Sequence, residues 1–144
     1  VDSDSPNLPL HLFEMLVVTL FESPDTAVVG PCADGGYYAI GLRRPHRRVF
    51  EEIAWSTDQV YRETVERAAE VDLPLISLPA WYDVDDQASL QRLMTDLFES
   101  PVTYESGLRA GPASESKAFL RRILETEGRE RIWPKRLLTA SEAA

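Results

Sequence analysis

The apolar residues of this chain fall into runs whose period switches between that of a helix and that of a strand, and this alternation restricts the fold more than any other feature. Residues 8 to 21 place Leu8, Leu12, Phe13, Leu16, Val17, Leu20 and Phe21 at helical spacing, with Pro6 and Pro9 near the start, where proline is tolerated. The spacing predicts a buried helix. Ala27 to Gly30 and Tyr37 to Leu42 read as strands around an Asp34-Gly35-Gly36 turn, a signal that also suits a hairpin. A short helical stretch near Val49 to Ile53 precedes Ser56-Thr57-Asp58-Gln59, which has capping-box form and opens a helix with Val60, Tyr61, Thr64, Val65, Ala68 and Ala69 on one face. Leu73 to Leu78 is a further strand. Asp86 is placed to cap the next helix, whose Leu90, Leu93, Met94, Leu97 and Phe98 recur every three or four residues. Strand and helix alternate, so an α/β layer fold is expected. Residues 100 to 113 read as a loop, Phe119, Leu120, Ile123 and Leu124 as one face of a last helix, and the stretch through Trp133-Pro134 as a loosely docked tail. The expected organisation is therefore 1–99 as the main domain portion and 100–144 as loop, helix and tail.

Composition removes several classes of function. The chain has 144 residues with 44% hydrophobic content, enough for a packed core. A net charge of −9 argues against a duplex nucleic acid partner, because such binding rests on cationic contacts to phosphates. One cysteine, Cys32, makes neither an internal disulfide nor the usual four-ligand zinc site. No apolar run is long enough to span a membrane and the first residues are acidic, so a cytoplasmic location is expected. Arg43, Arg44, Arg47 and Arg48 form the dense basic cluster, either a solvated face or a phosphate or acceptor contact.

Three acidic turns lie beside apolar runs: Asp2-Ser3-Asp4-Ser5-Pro6, Asp34-Gly35-Gly36-Tyr37-Tyr38 and Asp83-Val84-Asp85-Asp86. Acidic loops at strand ends suggest a divalent-metal, phosphate-handling site. Asp-Ser-Asp-Ser-Pro-x-Leu-Pro at 2 to 9, Gly-Pro-x-x-Asp-Gly-Gly-Tyr-Tyr-x-Ile-Gly-Leu at 30 to 42, Trp-Ser-Thr at 55 to 57 and Asp-Val-Asp at 83 to 85 occur in this order. Together they resemble the bacterial GT-A-like glycosyltransferases of the radical-SAM/selenodomain-associated and arsenosugar types, in the nucleotide-diphospho-sugar transferase superfamily. The resemblance covers about residues 1 to 98.

The resemblance implies a Rossmann-like sheet and a metal-dependent glycosyltransferase that takes a nucleotide-diphosphate sugar donor and a small-molecule acceptor. It implies Mg²⁺ or Mn²⁺ on the donor diphosphate, with Asp4 as principal carboxylate, Asp2 beside it, Asp85 as the second and Asp83 as the fallback. Asp34 would bond a sugar hydroxyl or act as base. Gly35 and Gly36 would let backbone approach the substrate. One of Tyr37 and Tyr38 should be core and the other line the cleft, while Trp55 either stacks on a sugar or packs before the next helix. Asp86 is the best candidate for a helix cap. The relatives' glycine- and basic-rich loop, which binds the donor nucleotide, has no counterpart before Asp2 in these residues. The chain is thus expected to be a C-terminal part of a GT-A-like fold, with self-association through an exposed sheet edge. A nucleotidyltransferase of the same fold and a non-catalytic binding module are the competing readings.

Overall fold

A computed structural model describes residues 1–99, 104 and 107–132 of the chain. It divides into two compact units, Val1–Gly111 and Pro112–Ala144. The first contains α1 (Leu10–Glu22), β1 (Ala27–Pro31), β2 (Tyr37–Gly41), a single 3₁₀ turn (Arg47–Phe50), α2 (Val60–Glu70), β3 (Leu75–Ser77) and α3 (Gln87–Phe98). The second carries α4 (Ser114–Thr126) and the short α5 (Arg129–Ile132). The fold class is α/β. The loop expected over 100–113 falls partly, and the tail from Trp133 wholly, outside the described residues.

The sheet has the order β2-β1-β3. β1 pairs antiparallel with β2, Val28 opposite Gly41 and Gly30 opposite Ala39, and parallel with β3, Val28 opposite Ile76. The two-residue period of β1 divides the interior. Val28 faces a cluster with Leu12 and Leu16 of α1, Tyr38, Leu78 and Trp81, whereas Ala27 faces Val49, Ala68 and Leu73. Each face of the sheet therefore has its own apolar layer, the arrangement an α/β domain requires. A bulge between Gly30 and Pro31 lets Tyr38 swing its ring over Gly30, where an added Cβ would collide with the ring. Its hydroxyl donates to the Pro79 carbonyl at 3.0 Å.

Three expectations change. In α1 only Leu12 and Leu16 are buried, while Val17 is 49% and Phe21 72% exposed, so this helix is covered on one side rather than buried. The sheet accepts one apolar stripe, with Phe13, Met15 and Leu20 packed at its margin, and Val17, Val18 and Phe21 stay exposed. The capping box at Ser56 to Gln59 does not form. Ser56 sits at φ +63° and α2 begins at Val60 without a side-chain cap, because Thr57 Oγ1 donates instead to the Ala54 carbonyl at 2.7 Å and accepts from the Gln59 amide at 3.2 Å. Third, the helical stretch near Val49 is one turn, Arg47–Phe50, rather than a segment reaching Ile53. By contrast Asp86 caps α3, accepting from the Ser89 amide at 2.7 Å in a reciprocal box.

Candidate functional site

The site is built where two parallel strands end. β1 and β3 run side by side, and their pairing continues past both strands through a bridge between Cys32 and Trp81. The Trp81 amide donates to the Pro31 carbonyl at 3.0 Å and the Ala33 amide to the Trp81 carbonyl at 2.9 Å. Asp34 and Asp83 consequently leave the sheet at the same edge, two residues beyond that bridge on each chain. The carboxyl end of parallel strands is where α/β sheets gather ligands.

Local geometry aims the side chains. Asp34 accepts from the Gly36 amide at 2.8 Å, which fixes its carboxylate over its own turn. Gly35 has φ +96°, and a Cβ there would strike the Asp58 backbone, so this turn needs glycine on both counts. The Tyr61 amide donates to the Gly35 carbonyl at 2.8 Å, pinning the first turn of α2 to it. Glu63 accepts from the Ala54 amide at 2.6 Å and holds the loop that carries Trp55. The first residues lie along the opposite wall, with the Asp2 amide donating to the Tyr38 carbonyl and the Val84 amide to the Asp4 carbonyl, both at 2.8 Å. Asp2 accepts from the Asp4 amide at 2.8 Å. In the extended segment after β3, Val84 packs on the core while Asp83 and Asp85 share the other side.

These walls enclose a cleft of about 620 Å³. Asp2, Asp4, Asp34, Asp83 and Asp85 line it together with Gly36, Tyr37, Trp55 and Asp58. Ligand oxygens of Asp34, Asp83 and Asp85 can lie within 4.8 Å of one another, as can those of Asp2 and Asp83 with the Cys32 sulfur. Burial first, then the charges of Asp34, Asp85 and Asp2, hold the Asp83 carboxyl above its ordinary range. Burial, reinforced by Asp83, Asp34 and Asp2, pushes the Cys32 thiol up to about 12. Three carboxylates crowded at one point form a hard, oxygen-only donor set of the kind that suits Mg²⁺ or Mn²⁺.

Asp2, Asp4, Asp34, Gly36, Tyr37, Trp55 and Asp85 are thus brought to one cleft, and Gly35 lies behind the turn. Tyr38 is core and Tyr37 lines the cleft. Asp4 stands on the wall outside both close groups, while Asp83 belongs to each. Asp58 was legible only as part of a helix cap, and Ser56 and Thr57 stood in the Trp-Ser-Thr motif and the same cap without being singled out as cleft wall. The basic cluster is engaged elsewhere: Arg44 pairs with Asp25 at 3.5 Å, Arg47 with Glu51 at 2.8 Å and Arg48 with Glu52 and Glu70 at 2.7 Å. Arg43 lies over the Phe21 ring. Those pairs fit a solvated face.

A parallel strand pair ending in an acidic cleft, with helices packed on the sheet, defines an α/β layer fold, and comparison with known proteins gives it a more particular place. A crystal structure described as a putative nucleotide-diphospho-sugar transferase from Desulfovibrio desulfuricans G20 is similar over 84% of this chain, at 33% identity and a TM-score of 0.65. The chain spans 48% of the length of that protein. Residues 1–57 match the family described as an uncharacterized protein conserved in bacteria, DUF2064. No curated protein matches the chain. The fold is therefore part of the nucleotide-diphospho-sugar transferase fold, and both likenesses support that superfamily. Among the described residues no helix is long and apolar enough to cross a membrane.

Proposed function

We propose that this chain supplies the metal-diphosphate and acceptor side of a metal-dependent glycosyltransferase that uses a nucleotide-diphosphate sugar, of the radical-SAM-associated or arsenosugar type. The convergence of Asp34, Asp83 and Asp85 beyond the ends of two parallel strands carries the reading. The similar structure, of which the chain spans 48%, supports a transferase reading. Asp83 and Asp85, with Asp34 beside them, would hold the cation, and Asp2 and Asp4 would add negative potential at the rim. A bound Mg²⁺ or Mn²⁺ supplies charge neutralisation of the diphosphate leaving group. Trp55, 51% exposed on the cleft wall, offers a ring face to a sugar. Asp34, one oxygen held by the Gly36 amide, keeps the other free for a sugar hydroxyl or its proton.

Titration of the chain with Mn²⁺, followed by electron paramagnetic resonance, tests the metal assignment. Asp83→Asn and Asp85→Asn should each weaken binding by about tenfold or more, and Asp4→Asn by less. Unchanged affinity in both of the first two variants would remove the cation from this cleft. Asp34→Asn separates that residue's two duties: retained Mn²⁺ affinity with lost sugar transfer marks a base, and joint loss marks a ligand. Transfer is assayed with a panel of nucleotide-diphosphate sugars. Release of pyrophosphate from a nucleoside triphosphate would replace the reading with a nucleotidyltransferase, and neither activity with no metal binding would leave a binding module.

A further inference from the structure

Beside the acidic cleft lies a second cavity of about 410 Å³ that shares Asp34, Asp83 and Asp85 with it and is bounded on α3 by Ser89 and Arg92. Arg92 is the cation on this wall, and its setting is unusual for a helix arginine. Its guanidinium lies 3.9 Å from the ring centroid of Tyr82 and 4.7 Å from that of Tyr104, and Nε donates to the Tyr104 hydroxyl at 3.3 Å. Asp96, one turn further along the helix, would be its ordinary partner. It pairs elsewhere instead: its Oδ2 accepts from Asn7 Nδ2 at 2.8 Å, the Tyr82 hydroxyl at 2.6 Å and the Tyr104 hydroxyl at 2.5 Å. Asn7, fully buried, is held in turn by the Trp81 ring N–H at 3.3 Å. Among the described residues Arg92 joins no ion pair. A guanidinium that lies against the Tyr82 ring and uses Nε on the Tyr104 hydroxyl has its Nη atoms left to bind an oxyanion with paired donors.

The cavity is therefore lined by carboxylates of both strand ends and by the Arg92 guanidinium of α3. A ligand with a neutral hydroxyl at one end and an anionic group at the other fits both. We propose that Arg92 reads a phosphate or carboxylate carried by the acceptor, whose hydroxyl then lies toward Asp34. The acceptor assignment rests on the transferase reading above, whereas the oxyanion site itself stands on the setting of Arg92.

The test uses the full chain with ¹⁵N-labelled arginine and inorganic phosphate as the probe, followed at the Arg92 Nε–H resonance. The expected result is a saturable shift in the native chain; phosphate affinity, read by titration calorimetry in the native chain and both variants, is weakened by about tenfold or more in Arg92→Gln and by less in Arg92→Lys, which keeps the charge but not the two parallel donors. Melting curves of both variants establish that each is folded. Absence of a shift, or equal phosphate affinity in Arg92→Gln, would overturn the proposal. A second titration is run with Mg²⁺ and inorganic pyrophosphate present as a stand-in for the donor diphosphate. Phosphate that still binds Arg92 supports an acceptor group; phosphate displaced by pyrophosphate assigns Arg92 to the donor and overturns the acceptor assignment. Backbone shifts at Asp34, Asp83 and Asp85 on adding Mg²⁺ alone report the cation separately. Their absence would sink the metal reading while leaving the Arg92 result to be judged on its own.

Discussion

Cys32 sits close enough to Asp2 and Asp83 to be counted among potential ligands, yet its chemistry points the other way. Burial and the surrounding carboxylates raise the thiol to about 12, so at neutral pH it is protonated and a poor nucleophile. Iodoacetamide at pH 8 should therefore leave Cys32 largely unmodified in the native chain and alkylate it fully in denaturant, as read by mass spectrometry; rapid native alkylation would mean the pocket around it is open. Gly30 faces a different constraint, since a Cβ there enters the Tyr38 ring. Gly30→Ala should cost about 1–3 kcal/mol, the usual penalty of overfilling a packed core, in urea unfolding. At this scale the sequence was informative about identity and poor at ranking. Asp2, Asp4, Asp34 and Asp85 stood out as short acidic motifs, and all line one cleft. The central place of Asp83 depended on the parallel pairing of residues about fifty positions apart, which no local pattern encodes.

The two central helices show why one terminus could be read and another could not. Asp86 and Ser89 satisfy each other within four residues, so the cap of α3 is a local matter. The start of α2 is set from outside: the Gly35 carbonyl holds the Tyr61 amide and the Asp58 backbone lies against Gly35, so the chain at Ser56 follows the cleft wall instead of its own capping preference. The Asp86 cap predicts a pH dependence. Its bond from the Ser89 amide lowers its folded-state pKa below the ordinary aspartate value, so its contribution is present above that value and lost as pH falls through the folded one. Asp86→Ala should lower Tm by a few degrees at pH 7, with the difference from the native chain shrinking as pH falls below the ordinary aspartate range. A difference that persisted in acid would show that the carboxylate charge is not what stabilises the helix. The helix faces divide in the same way: Leu12 and Leu16 are buried as the period requires, but how much of α1 is covered depends on what packs beside it.

For the larger unit as a whole, α1 presents Leu10, Val17, Val18 and Phe21 to solvent, and β3 exposes Ile76 at a sheet edge. Apolar faces and open edges of this kind favour association. The chain is expected to elute in gel filtration at a size that rises with concentration, and Val17→Lys with Phe21→Glu should restore a concentration-independent monomer. A monodisperse native chain across that range would show that this face is tolerated by itself. The parallel pairing of β1 with β3 has a further consequence, in time rather than in space. The antiparallel β1–β2 pair closes across a few residues, whereas Ala27 meets Leu75 only after a crossover that includes α2. Contacts of long sequence separation form slowly because the intervening loop must be closed first. The hairpin therefore offers Asp34 early in refolding, while Asp83 and Asp85 reach it only with the last strand, so the capacity to bind a cation should appear in the slow phase, after most of the far-ultraviolet circular dichroism has returned.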